Sequence, residues 1–220
     1  MVIHLLLIFL LPFGADGNQF PTKSIQQATI EDIIEGNQIY IQQQPAKLKD
    51  RASQGQIIST AKARAEIEFN NGSIVRMGNN SKLVVGSCVN LEQGSVLVSG
   101  KMSTCTKSIT AAVRGTTYYL EIDPDQTDNP VTTISVLEGE IEVSDTNTPN
   151  QPPIRLGAGQ KLRSIRGKLQ ERLENMTQSE LEQIIKTKIM AGYRRPLSTR
   201  AQIARVLRRK FPRSPLLRRL

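Results

Sequence analysis

The chain has 220 residues and a mass of 24.4 kDa, is 38% hydrophobic and 22% charged, and holds one histidine and two cysteines. That balance is one of a folded protein rather than a disordered one, and no apolar run reaches the roughly 18–20 residues that a membrane-spanning helix needs. The net charge of +9 is unevenly held: residues 1–160 carry 12 Lys+Arg against 16 Asp+Glu, and residues 161–220 carry 17 against 4. Such a split marks either an anionic partner for the last quarter or a solvated, solubilising face.

Residues 1–17 read as a secretion signal. Val2 to Phe13 is almost wholly apolar, Pro12 breaks it, and Ala15 and Gly17 place small residues at the −3 and −1 positions of a cleavage site. Only His4 stands where a positive residue is usual, and the competing reading is a buried apolar element at a true N-terminus. Export removes the sole histidine, and with it Ser-His and Cys-His catalysis and any zinc site using histidine. A pair of carboxylates remains chemically open. Secreted chains favour disulfides, and Cys88 and Cys105 make an even count.

In residues 18–54, Ala28–Ile34 and Gln38–Gln42 flank Glu35-Gly36-Asn37, which predicts a β-hairpin. From Gly55 onward a glycine followed by an alternating strand recurs, with glycines at 72, 94, 115 and 139, in steps of 22, 21 and 24. Such a step predicts two short strands and two turns per unit, stacked so that neighbours share one core. The competing architecture is an antiparallel sandwich with hairpins of similar length. Ala65, Ile67 and Phe69 alternate with Glu66 and Glu68, as a half-buried strand requires.

After Leu162 the period changes from 2 to 3.6. Thr177 and Glu180 form a capping box, Leu181, Ile184, Ile185 and Ile189 an apolar stripe, and Gly192 a stop. A second helix from about Ser198 places Ile203, Leu207 and Phe211 on one side and Arg200, Arg205, Arg208 and Arg209 on the other. The stripe of the first helix is expected to pack on the β-region, with the arginine side of the second left in solvent.

The stretch from Gly55 to Leu162 resembles the FecR domain. The matching pieces are Gly55–Thr60, Arg64–Met77, Leu91–Val98, Val113-Arg-Gly-Thr-Thr117, Val136–Val143 and Leu156–Gln160, six in order. The placement of Cys88, Cys105 and Tyr118-Tyr119 resembles stand-alone extracytoplasmic members of cyanobacterial type. The resemblance implies an all-β, twisted solenoid-like or jelly-roll-like domain in an extracytoplasmic sensing role. The anti-sigma domain and membrane helix of the iron-transport regulators of that family have no counterpart in these residues.

Local motifs divide into chemistry and scaffolding. Arg114-Gly115-Thr116 is read as structural, Gly115 making a tight turn and Arg114 pairing with an acid of a neighbouring strand; the alternative is a grip on a ligand carboxylate. Asp123, Asp125 and Asp128 lack the glycine and glutamate of a calcium loop and read as a polar connection. Glu138, Glu140 and Glu142 share a strand face as ordinary exposed charge. Arg200, Arg205, Arg208 and Arg209 are candidates for contact with an anionic surface. Nucleic acid is not expected, given export and the scarcity of stacking aromatics.

The expectation is therefore an all-β FecR domain over residues 55–162 with a basic helical segment over 163–220, non-enzymatic and without cofactor. It would bind an extracytoplasmic protein, or alternatively anchor to anionic envelope polymer or lipid. A Cys88–Cys105 disulfide is expected because residues 17 apart return to adjacent layers after most of one 22-residue unit.

Overall fold

The computed structural model describes residues 27–123, 130–165, 167–170, 172–188 and 190–215. The signal sequence and the Asp125–Asp128 stretch expected above lie outside these residues. Strands run in chain order as β1 (Gln27–Ile34), β2 (Ile39–Ile41), β3 (Gln44–Pro45), β4 (Arg51–Ser53), β5 (Ile57–Thr60) and β6 (Arg64–Phe69). They continue as β7 (Ile74–Met77), β8 (Lys82–Val84), β9 (Val89–Gly100), β10 (Thr104–Cys105), β11 (Ile109–Val113) and β12 (Thr116–Ile122). The last are β13 (Val131–Glu138), β14 (Glu140–Asp145), β15 (Ile154–Gly157), β16 (Gln160–Ile165), β17 (Lys168–Leu169) and β18 (Glu174–Asn175). Helices α1 (Gln178–Gln183) and α2 (Arg200–Lys210) follow, with a π-helical turn, Ile184–Lys188, continuing α1.

The strands form two facing sheets. Sheet I is laddered β4-β1-β6-β7-β9-β12-β13-β16, with β17 and β18 on the far side of β16. Sheet II is laddered β3-β2-β5-β8-β9-β10-β11-β14-β15. The chain alternates between them, so both sheets grow in the same direction and each unit stacks on the one before. Strand β9 belongs to both: Asn90 to Gln93 ladder with β8 in sheet II, and Gly94 to Gly100 with β12 in sheet I.

The units stack in chain order, as the glycine step predicts, but their register is antiparallel except at one place. There β10 lies parallel to β9, with Thr104 opposite Val89 and Cys105 opposite Asn90. The four repeat glycines all have left-handed φ, at 80, 78, 75 and 82°, yet their duties differ. Gly72 turns the β6–β7 hairpin, Gly94 bends β9 from one sheet to the other, and Gly115 and Gly139 turn sheet corners. At Gly94 a Cβ would meet the carbonyl oxygen of Asn80 at 2.6 Å and the Cα of Ser81 at 2.7 Å, so the bend also demands close backbone approach.

The predicted β1–β2 hairpin is corrected. Strand β1 pairs with β4 and β6 in sheet I, while β2 pairs with β3 and β5 in sheet II. Glu35-Gly36-Asn37 is a crossing between layers, because the apolar faces of β1 and β2 enter one core from opposite sides.

That core lies between the sheets and joins Ile30, Ile67, Val75, Val98 and Val136 of sheet I to Ile39, Ile58, Leu83, Val143 and Leu156 of sheet II. A second core lies on the outer face of sheet I. Leu97, Tyr119 and Leu137 point outward there and are covered by Leu181, Ile184, Ile185, Leu197, Ile203 and Leu207. The helical segment therefore docks as expected, giving three layers: sheet II, sheet I and helices. Thr177 caps α1 by accepting from the Glu180 N–H, and Glu180 reaches back to the Thr177 N–H at 2.8 Å. The α-helical register ends at Gln183 and gives way to the π turn, so α1 is shorter than the apolar stripe implies. No helix among the described residues is long and apolar enough to cross a membrane.

Candidate functional site

Three polar constellations stand out, and they differ in what they leave accessible. The first is enclosed. On the outer face of sheet I, Arg76 and Glu66 pair at 2.8 Å, and Arg76 also donates to the carbonyls of Met190 at 3.2 Å and Arg195 at 2.6 Å. The Tyr193 ring lies over the guanidinium, 4.2 Å from it to the ring centroid. Arg195 reaches Glu68 at 3.1 Å and Glu66 at 3.3 Å, and the Arg194 N–H donates to Asp32 at 2.9 Å. Residues 190–197 thus form a strap that fits cationic and aromatic groups onto the acidic stripe Glu31, Asp32, Glu66 and Glu68. Burial lowers the Arg76 pKa and the Glu66 hydrogen bond opposes the shift, so the group remains a cation. Burial raises the Tyr193 pKa, keeping its hydroxyl neutral.

The second constellation is open. Arg114 is exposed at the corner between β11 and β12 and makes no ion pair among the described residues. The expected pairing of Arg114 with a neighbouring strand's acid is therefore corrected: Gly115 turns the corner in the left-handed region and aims the side chain into solvent. Thr116 is structural, its hydroxyl donating to the Glu140 carbonyl at 2.8 Å. Arg114 instead lines a groove of about 460 Å³ with Glu140, Glu142 and Arg155. Arg155 and Glu142, opposite each other on β15 and β14, pair at 2.9 Å. Strand β15 ends sheet II, laddered to β14 and, among the described residues, to no other strand of that sheet.

The third is the arginine side of α2. Ile203 and Leu207 are buried, and at 100° per residue Arg205, Arg208 and Arg209 fall on the opposite side, all exposed. Arg200 stands apart, lining a cavity of about 330 Å³ with Arg76 and Tyr193. Arg208 and Arg209 have no ion-pair partner among the described residues. Arg205 lies within electrostatic reach of Glu138, while Glu174 pairs with Arg163 at 2.7 Å and Glu180 with Lys161 at 2.5 Å. The Arg163 hydrogen bond holds the Glu174 carboxyl below its ordinary range.

Cys88 and Cys105 are joined, with Cα atoms 5.9 Å apart, beside the parallel β9–β10 pairing. Tyr118 secures the same region from inside, donating to the Met102 carbonyl at 2.9 Å while its hydroxyl meets that of Thr104. No cluster of three or more His, Cys, Asp or Glu placed to hold a metal ion occurs among the described residues.

Residues 56–142 match the family model described as FecR protein, so the chain carries a FecR domain there. Strands β15 and β16 continue the same alternation beyond the match. Two solved structures of a candidate anti-sigma factor from Parabacteroides distasonis are similar to this chain, each 13% identical with a TM-score of 0.49. The first alignment covers 60% of this chain and 64% of that one, and the second 71% and 74%. This chain thus spans 64% of the length of the first. No curated protein matches.

The strap was not foreseen from sequence. Its signal is the paired charge excess, an acidic stripe on strands of the first half and a basic last quarter, which by itself fits an outside partner or a solvated face as well as a contact within the chain.

Proposed function

We propose that the chain is an extracytoplasmic signalling module that binds another envelope or periplasmic protein and performs no chemistry of its own. The FecR domain supports the signalling role, and the Cys88–Cys105 bond suits an oxidising compartment. The observation that carries the reading is the open edge of β15 beside the Arg114 groove. The outer face of sheet I is already covered by the helices, whereas β15 offers unpaired backbone groups for an added strand, flanked by exposed charges of both signs.

The test is photo-crosslinking from a probe at position 155 in intact envelope, with and without Arg114→Glu. A discrete adduct that Arg114→Glu abolishes supports the reading. An adduct indifferent to that change, or none, defeats it. Export with cleavage after Gly17 is part of the same proposal, and sequencing the exported protein should read Asn18 first.

The arginine side of α2 favours a second reading, envelope anchoring through anionic polymer or lipid. Co-sedimentation with anionic vesicles that is lost in an Arg205→Gln/Arg208→Gln/Arg209→Gln variant would favour anchoring; equal sedimentation of both proteins would remove it.

A further inference from the structure

A cleft of about 920 Å³ is lined by residues of both sheets. Sheet II contributes Leu91, Glu92 and the Thr106-Lys107-Ser108 turn, and sheet I contributes Ile122, Thr132 and Leu169. Its size is that of a small-molecule site.

The walls are braced. Cys88, three and four residues before the lining positions Leu91 and Glu92 on β9, and Cys105, just before Thr106, clamp the sheet II side. Thr106 fixes its own turn by accepting from the Ser108 and Ile109 N–H groups at 3.2 and 3.1 Å. The Thr146 hydroxyl donates to the Lys107 carbonyl at 2.8 Å, and the Asn147 amide donates to the Gly167 carbonyl at 2.7 Å. Asp145 accepts from the Leu169 N–H at 2.9 Å, tying the sheets together across the rim. Burial opposes the ionisation of Asp145, but the N–H groups of Leu169 and Asn147 outweigh it and hold the carboxyl below its ordinary range.

What remains uncommitted defines a ligand. Glu92 is paired with Lys82 at 2.8 Å, and the Asp145 carboxylate is spoken for by backbone donors. Lys107 and Lys168, both exposed and both lining the cleft, have no ion-pair partner among the described residues. Deeper in, the Thr132 hydroxyl has no hydrogen bond among the described residues. Its cross-strand neighbour Ser164 is 1% exposed with an unpartnered hydroxyl. Buried hydroxyls are ordinarily satisfied. The Thr132 hydroxyl in the lining, backed by Ser164 on the neighbouring strand, together with Lys107, Lys168 and the apolar Leu91, Ile122 and Leu169, makes a polar site with a cationic mouth.

We propose that this cleft binds a small polyhydroxylated anion, a sugar bearing a carboxylate or phosphate. The anionic group sits between Lys107 and Lys168, and a ligand hydroxyl engages Thr132. Braced walls limit the ordering penalty of binding. The site is independent of the β15 edge, so it stands or falls separately from the protein-partner reading.

The test is titration of the intact protein, followed by backbone NMR shifts, with galacturonate, glucose 6-phosphate and glucose as probes. The expected result is saturable binding of one or both anions, with shifts centred on Thr106–Ser108 and Lys168–Leu169 and no saturation by glucose. Galacturonate alone would assign a uronate, and glucose 6-phosphate alone a sugar phosphate. Lys107→Gln/Lys168→Gln, both at exposed positions, should weaken the anions tenfold or more, and Thr132→Val should weaken them with the charge intact. Absence of saturation by either anion up to about 10 mM overturns the proposal. So does equal binding of glucose, or unchanged affinity in the double lysine variant.

Discussion

Arg76 and Glu66 stand directly opposite each other across the β6–β7 hairpin, with side chains only 2% and 3% exposed. An ion pair taken this far from water gains little by itself, because desolvation offsets most of the Coulombic attraction. It persists because residues 190–197 complete it, with two carbonyls for the guanidinium, a ring over its face and Arg195 for the second oxygen of Glu66. The strap and the hairpin are thus each other's solvent.

Removing one member should therefore be costly. Arg76→Met leaves Glu66 buried with only Arg195 beside it, and a broken buried pair costs roughly 3–5 kcal/mol. Arg195 keeps the expected loss near the lower end, about 3 kcal/mol in urea denaturation. Glu66→Leu/Arg76→Met should recover part of this, though the carbonyls of Met190 and Arg195 still lose their donor. A loss below about 1 kcal/mol for the single variant would show that the strap does not depend on the pair.

A chain ending at Ile165 tests the third layer. It uncovers Leu97, Tyr119 and Leu137, each fully buried side chain contributing about 1.5–3 kcal/mol, and opens Arg76 to solvent. The expected outcome is a lower melting temperature and binding of a hydrophobic dye. An unchanged melt would mean that the helices are an independent appendage. The segment is accordingly a poor one to delete when asking which surface binds a partner.

Much of this was legible in the residues. The capping box of Thr177 and Glu180 is a local device and formed where expected. Alternation in β6 placed Ile67 and Phe69 inward, and the cysteine pair was readable from position. The layer assignment was less so. Ile30 and Ile39 look like hairpin partners because alternation reports a buried face and not the sheet that owns it. The third layer had its own sign: Val96-Leu97-Val98 and Tyr118-Tyr119-Leu120 are unbroken apolar runs, the pattern of strands buried on both faces. The free state of Arg114 was hidden, since a corner glycine's neighbour can be aimed inward or outward by a turn that sequence does not specify.

The disulfide should matter to stability and to the cleft together. Closing a loop between cysteines 17 residues apart contributes roughly 3 kcal/mol in the chain-entropy model. Mass spectrometry of unreduced, alkylated protein should find no free thiol, and Cys88→Ser/Cys105→Ser should melt at lower temperature. Two free thiols in exported protein would defeat the pairing. A variant that melts unchanged would show that the β9–β10 ladder and Tyr118 hold the region alone.

Glu138 sets a pH dependence of the opposite sign to that of most carboxylates. The expected shared strand face of Glu138, Glu140 and Glu142 is corrected: Gly139 turns the corner between β13 and β14. Glu138 thus ends β13 beneath α2, with one carboxylate oxygen buried and without a hydrogen-bond partner among the described residues. Burial raises its pKa, against the Thr117 N–H and the Arg205 charge, which favour the ionised form. A folded pKa above the unfolded one means that Glu138 favours the fold while protonated, and that this contribution is lost as pH rises through the folded value. Glu174 and Glu180, with lowered pKa values, contribute above the unfolded carboxylate range and lose that contribution as pH falls through their folded values. Glu138→Gln should therefore raise the melting temperature at pH 7 and change it little at about pH 4, where the native carboxyl is already protonated. Melting curves of both proteins across that interval decide it. A Glu138→Gln effect that is constant with pH would show that packing under α2, and not ionisation, governs the position.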